Sequence, residues 1–157
     1  MFIAHLPAAY LLVKPFQNRL SRIAFAAGLL GSVLPDVDLL LFYFWDAKAF
    51  HHHEYLTHRP ILWALVFLIG LLVRPSLPRL GAPVAMLGLG GLIHMVLDSI
   101  AGAIAWGWPL SEATTTMVHV PATHDHWILS FLTHWTFLNE VLICLLAGFV
   151  LLKSRRS

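Results

Sequence analysis

The chain has 157 residues, 59% hydrophobic and only 11% charged, with a mean hydropathy of +0.77. A soluble domain carries about 25% charged residues, so this composition excludes a disordered chain and argues against a soluble globular enzyme. The formal net charge of +2 and the pI of 9.0 reflect scarce acids rather than a basic face, so no nucleic acid partner is indicated.

Met1 to Val13 is apolar but spans only about 20 Å as a helix. No positive charge precedes it, so it does not read as a signal peptide. It is expected to form a partial or interfacial helix ending at Lys14. Four longer apolar stretches follow: Ile23 to Trp45, Pro60 to Val73, Leu80 to Trp108 and Trp127 to Leu152. A membrane-spanning helix needs about 20 residues, so the second stretch must borrow from about Leu56 onward. Arg74 to Arg79 holds two prolines and reads as a tight connection. The expected fold is all-α: one multi-pass membrane helix bundle over residues 1–157, with four main transmembrane helices plus the short N-terminal one.

Lys14, Arg19 and Arg22 precede the first stretch, Arg74 and Arg79 separate the second from the third, and Lys153, Arg155 and Arg156 follow the fourth. If the stretches alternate in direction, all three clusters share one side. That side should be cytoplasmic, with the C-terminus. The connections near Asp46–Thr57 and Pro109–His126 carry only Lys48 among lysines and arginines, yet hold six of the ten histidines. They should face outward.

Ionisable residues interrupt the apolar stretches: Asp36 and Asp38 in the first, His94 and Asp98 in the third, His134 and Glu140 in the fourth. A charge at the bilayer centre costs at least about 2.5 kcal/mol, so cations, partners or water must compensate these groups. Asp36 lies fourteen residues beyond Arg22, and His94 fifteen beyond Arg79. Each is then some 20 Å up, in the outer half of the membrane. His58 and His134 also fall toward the outer ends of their stretches. One layer therefore collects carboxylates and imidazoles from separate helices, the donor set of a divalent metal, with zinc the first candidate. His94 and Asp98 share a helix face, in a row with Gly90 and Gly102 that lets a neighbouring helix approach. Asp36 and Asp38 reach one site only if Pro35 breaks the helix. Thr57 and Pro60 read as a helix start, with His53 in the loop before it and His58 at the tip. His51 and His52 read as a solvated run, and His119, His124 and His126 as decoration of the outer loop. Trp106, Trp108, Trp127 and Trp135 read as interfacial anchors. Glu140 either pairs with a neighbouring helix or joins the site.

In order and approximate spacing these motifs resemble those of the membrane-bound metal-dependent hydrolase family of bacterial inner membranes. The resemblance rests on His5, on Leu34-Pro35-Asp36-Val37-Asp38, and on the histidine pair of His53-Glu54-Tyr55-Leu56-Thr57-His58-Arg59. His94 to Asp98 and Trp108-Pro109 complete it, over about residues 5 to 109. The family's Arg and Gly after the first histidine are Glu54 and Tyr55 here, and its Ser after the second is Arg59. A more distant resemblance is to zinc-dependent phospholipase C. It implies His5, Asp36 or Asp38, His53 or His58, His94 and Asp98 as ligands of one or two ions. His134 and Glu140 would serve a further ion, although they stand six apart here rather than four.

Those resemblances imply a metal-dependent hydrolase, with phosphoester hydrolysis on a membrane lipid or lipid-linked substrate as the expected reaction. Asp98 would bridge two metals. The second acid of the Asp36/Asp38 pair would orient the attacking water or act as general base, and Arg59 would hold a phosphate oxygen. Two rivals stand beside this expectation: a metal-ion or proton transporter, and a non-catalytic membrane protein with a structural metal. The sequence assigns no oligomeric state.

Overall fold

Proline and glycine decide where the apolar stretches stop being helix. The computed structural model describes residues 3–45 and 51–155, so Lys48, Arg156 and the first part of the Asp46–Thr57 connection lie outside the described residues. Among the described residues every regular element is a helix, and one isolated bridge joins Ile104 to Thr115 within the irregular connection of residues 99–126. α1 (His5–Val13) is the short N-terminal helix, followed by a 3-10 segment over Lys14–Arg19.

The first long stretch is two helices. α2 (Arg22–Gly31) opens on Ser21, whose hydroxyl accepts the Ala24 N–H at 3.1 Å. It ends before Pro35, which cannot continue the hydrogen-bond ladder. A 3-10 turn over Leu34–Val37 then leads into α3 (Asp38–Phe44), and the chain bends by 57° across the break. Pro35 thus breaks the helix where Asp36 and Asp38 require it.

α4 (Pro60–Val73) has 14 residues, about 21 Å, short of a hydrocarbon core about 30 Å thick. It does not extend back to Leu56, because Pro60 supplies the first helical position and Arg59 before it is held extended at φ −94°, ψ 115°. Leu56–His58 forms a separate 3-10 turn. α5 (Pro78–Asp98) has 21 residues and ends at Asp98, so His94 and Asp98 sit at its C-terminal end rather than mid-helix. Gly102 lies beyond that helix. The last stretch divides into α6 (Trp127–Leu132) and α7 (Trp135–Ser154), with His134 capping the second.

Among the described residues four spanning helices are therefore not formed. Two helices, α5 and α7, are long and apolar enough to cross a membrane, and the bent pair of α2 and the Leu34–Phe44 segment makes a third if it counts as one span. The central packing is α2 and α4 against α5, and glycine makes it possible. A Cβ on Gly90 would overlap the Gly28 carbonyl of α2, and one on Gly91 the Trp63 ring of α4. Trp63, Met95 and Ile104 form the buried apolar core. The Trp63 indole N–H also donates to the Thr57 carbonyl at 2.7 Å, tying the His58 turn to α4. Leucines and phenylalanines exposed on the outer faces, such as Leu72 at 78% and Phe149 at 64%, are what a lipid-facing surface presents.

Candidate metal centre

Five segments converge on one buried cluster. α1 supplies His5, the break after α2 supplies Asp36 and Asp38, the 3-10 turns before α4 supply His52, His53 and His58, and the end of α5 supplies His94 and Asp98. All but Asp36 and His52 are buried. Burying this many ionisable groups is tolerable only when they are paired or hold a metal.

Asp98 is the hub. Its Oδ1 lies 3.0 Å from His5 Nε2. Its Oδ2 faces three imidazoles, with His94 Nε2 at 3.0 Å, His58 Nε2 at 3.4 Å and His53 Nε2 at 3.5 Å. The missing Cβ of Gly102 leaves room for the His53 ring, whose Nδ1 would stand 3.0 Å from such an atom.

The tautomers of two histidines follow from their partners. His94 Nδ1 lies 2.8 Å from the Ser32 carbonyl oxygen. A carbonyl only accepts, so Nδ1 carries the hydrogen and donates it. His58 Nδ1 likewise donates to the Asp38 carboxylate, which also accepts the Thr57 hydroxyl. Both rings therefore present Nε2 to the centre, and these two atoms lie 3.3 Å apart. Two bare lone pairs at that separation repel unless a proton or a cation lies between them. Asp36 Oδ1 completes the set, 3.7 Å from His58 Nε2 and 3.6 Å from His94 Nε2.

These separations match a metal's demands. Zinc holds nitrogen and oxygen donors at about 2.0–2.1 Å in a tetrahedron, which spaces the donors about 3.4 Å apart. His58 Nε2 and His94 Nε2 lie 3.0 to 3.7 Å from each other and from Asp36 Oδ1 and Asp98 Oδ2. A carbonyl or carboxylate behind each ligating imidazole is the usual support of such a site, and Ser32 and Asp38 occupy those places. Among the described residues, sets whose donors lie within 4.8 Å of one another are His5–His94–Asp98, His53–His58–Asp98, Asp36–His52–His58 and, at the loop, His51–His52–His53. These side chains form clusters that could hold a metal ion.

The structure separates the two acids that the sequence leaves paired. Asp36 faces the Nε2 pair, whereas Asp38 stands behind His58. Asp38 Oδ1 has no hydrogen-bond partner among the described residues and looks toward His52 Nδ1, equally without one there, at 3.6 Å. His52 is the residue that sequence reasoning missed by grouping it with His51 on the surface. In a 3-10 turn successive side chains fan about 120° apart, so three adjacent histidines cannot share a fate. His51 is exposed and caps the turn, accepting the His53 N–H, while His53 turns inward. Nothing in the composition of His51-His52-His53 marks which is which.

The later candidates stand elsewhere. Glu140 is fully buried, and its carboxylate accepts the Ile3 N–H at 2.6 Å and the Ala4 N–H at 3.1 Å. It holds the start of α1 against α7. His134 accepts the Thr136 N–H as the cap of α7. Neither belongs to a metal-type group among the described residues. The Arg59 guanidinium donates to the Glu54 carbonyl at 3.0 Å, pairs with Glu112 at 3.8 Å and lies 5.7 Å from the Trp108 ring. It borders the His52–His58 segment from the side of the Trp108 loop.

Burial in the loop segment separates two further histidines electrostatically. For His53, burial outweighs the pull of Asp98 and lowers the imidazole to about 2. For His58, burial also pulls down, but hydrogen bonds to Asp38 and Asp98 prevail and raise it to about 9. Near neutral pH a proton on His58 Nε2 thus fills the gap toward His94, in the place a cation would take.

No curated protein and no solved structure matches the chain. A family model described as YdjM inner membrane protein matches residues 2–156. That match covers nearly the whole chain and agrees with its apolar helices, while its description names no activity. The chain belongs to the YdjM inner membrane protein family.

Proposed function

We propose that this protein is a membrane-embedded metal-dependent hydrolase acting on a phosphoester of a lipid or lipid-linked substrate. The observation that carries the reading is the pair of Nε2 atoms of His58 and His94, 3.3 Å apart and flanked by carboxylates of Asp36 and Asp98. His58, His94 and Asp98 would hold one divalent ion, zinc by its donors, with His5 and His53 on the remaining faces of Asp98 serving a second, and Asp36, 3.6–3.7 Å from the two Nε2 atoms, would stand beside a fourth position left to water. Bound there, the metal would supply an acidified water and charge neutralisation of a phosphoryl oxygen.

The chain's own residues provide the rest. Asp38 and the Ser32 carbonyl fix two imidazoles in the orientation that leaves Nε2 free. Asp36 has a side chain 30% exposed, against 1% for Asp98, so the centre opens to a substrate at Asp36. Asp36 is accordingly the candidate to receive the water's proton. Exposed Val33, Val37 and Leu40 flank it along the chain, which suits an acyl-bearing substrate. In this reading the arginine-rich end of the bundle and the C-terminus are cytoplasmic, and the centre lies toward the outer face.

The test joins metal analysis of the purified protein to a screen with phosphodiester and phospholipid substrates. The expected result is stoichiometric divalent metal and hydrolysis, both abolished by His94→Ala. Hydrolysis retained in that variant overturns the assignment, and steady metal or proton flux in vesicles without hydrolysis indicates transport instead.

A further inference from the structure

A second feature lies at the other end of the bundle, about 30 Å away along α5. A cavity of about 670 Å³ opens between the starts of α2 and α5 and the end of α4. Arg19, Arg74 and Arg79 line its mouth, while Phe67, Leu71 and Met86 line its wall. All three arginines are exposed, and among the described residues none pairs with a carboxylate. The eight acids of the chain explain why: none falls between residues 1 and 35 or between 55 and 97, the segments that build this end. Three uncompensated guanidiniums over an apolar wall form an amphipathic groove with a strongly positive rim. Guanidinium forks suit phosphate oxygens, and basic pockets between membrane helices take anionic lipid headgroups.

We propose that this cavity binds an anionic phospholipid, its headgroup phosphate among Arg19, Arg74 and Arg79 and an acyl chain along Phe67, Leu71 and Met86. The wall decides against a free anion, since inorganic phosphate would leave that apolar surface uncovered. The position decides against a substrate of the metal centre, because the arginine rim lies at the start of α5 and His94 and Asp98 at its end. The bound lipid would seal the junction of α2, α4 and α5, whose packing places Asp36, His58 and His94.

The test uses the full chain in detergent micelles doped with phosphatidylglycerol or with phosphatidylcholine, and counts retained lipid by native mass spectrometry. Phosphatidylglycerol should be retained over phosphatidylcholine, and millimolar inorganic phosphate should not displace it. The variant Arg19→Gln/Arg74→Gln/Arg79→Gln should weaken retention by about fivefold per arginine. Lys14→Gln/Lys153→Gln/Arg155→Gln, which removes three charges outside the cavity, should leave it intact. Circular dichroism reports folding, and if the triple variant does not fold, Arg79→Gln alone should still cost about fivefold. Equal loss in the two triple variants, equal retention of the two lipids, or displacement by inorganic phosphate overturns the proposal.

Discussion

Asp98→Asn isolates the metal centre from the scaffold. Asparagine keeps the size of the side chain but removes the charge that faces His5, His53, His58 and His94 at 3.0–3.5 Å. At zinc a hundredfold above the wild-type Kd, binding to the folded state alone stabilises by about 2.7 kcal/mol. For a chain of this size that raises Tm by about 5–11 °C. Loss of a residue that merely supports a ligand weakens metal binding by about 10–100-fold, so loss of the hub carboxylate should cost at least the upper figure. At the same zinc concentration the variant then gains no more than about 0.4 kcal/mol, a shift of at most about 2 °C. The assay is thermal unfolding in detergent, each protein compared with and without zinc. Comparing shifts within a variant removes any change in the stability of the metal-free fold. A zinc-dependent shift in Asp98→Asn equal to that of the wild type would refute the geometry argued above.

Glu140→Gln should behave oppositely. It weakens the two backbone hydrogen bonds at the start of α1, costing about 1–3 kcal/mol. Thermal unfolding should show lower stability with an unchanged zinc shift. Gly102→Ala places a methyl group against the His53 ring. It should lower metal occupancy, read by metal analysis, while helicity is preserved. The His58 imidazole, raised to about 9, is protonated at pH 7 in the metal-free protein and must lose that proton to ligate. Apparent affinity should therefore strengthen as pH rises from 7 toward 9. Calorimetry in buffers of different ionisation enthalpy should detect about one proton released per metal at pH 7, and none would contradict the raised His58 imidazole.

Much of the centre was legible in the chain. Pro35 between Leu34 and Asp36 forces a helix break, and the i, i+4 spacing of His94 and Asp98 fixes a shared face, so both motifs carry their local geometry with them. The span count was less legible. Hydropathy registers where lipid-compatible residues lie, but Pro60 and the extended Arg59 stop α4 at 14 residues, and His134 caps α7 inside one continuous apolar run. The split between Asp36 and Asp38 was also hidden, because two acids two residues apart acquire different roles only from what faces them: the Nε2 pair in one case, the back of His58 in the other.

Local chemistry, then, determined the all-helical membrane character, the donor types and the break at Pro35, because hydropathy, proline stereochemistry and helical period act within a few residues. Tertiary packing alone decided that His52 turns inward, that Glu140 anchors α1 and that Asp98 is the hub. Each of those outcomes depends on which distant atom arrives within contact, and for the hub the glycine-lined approach of α2 and α4 to α5 sets which atoms meet.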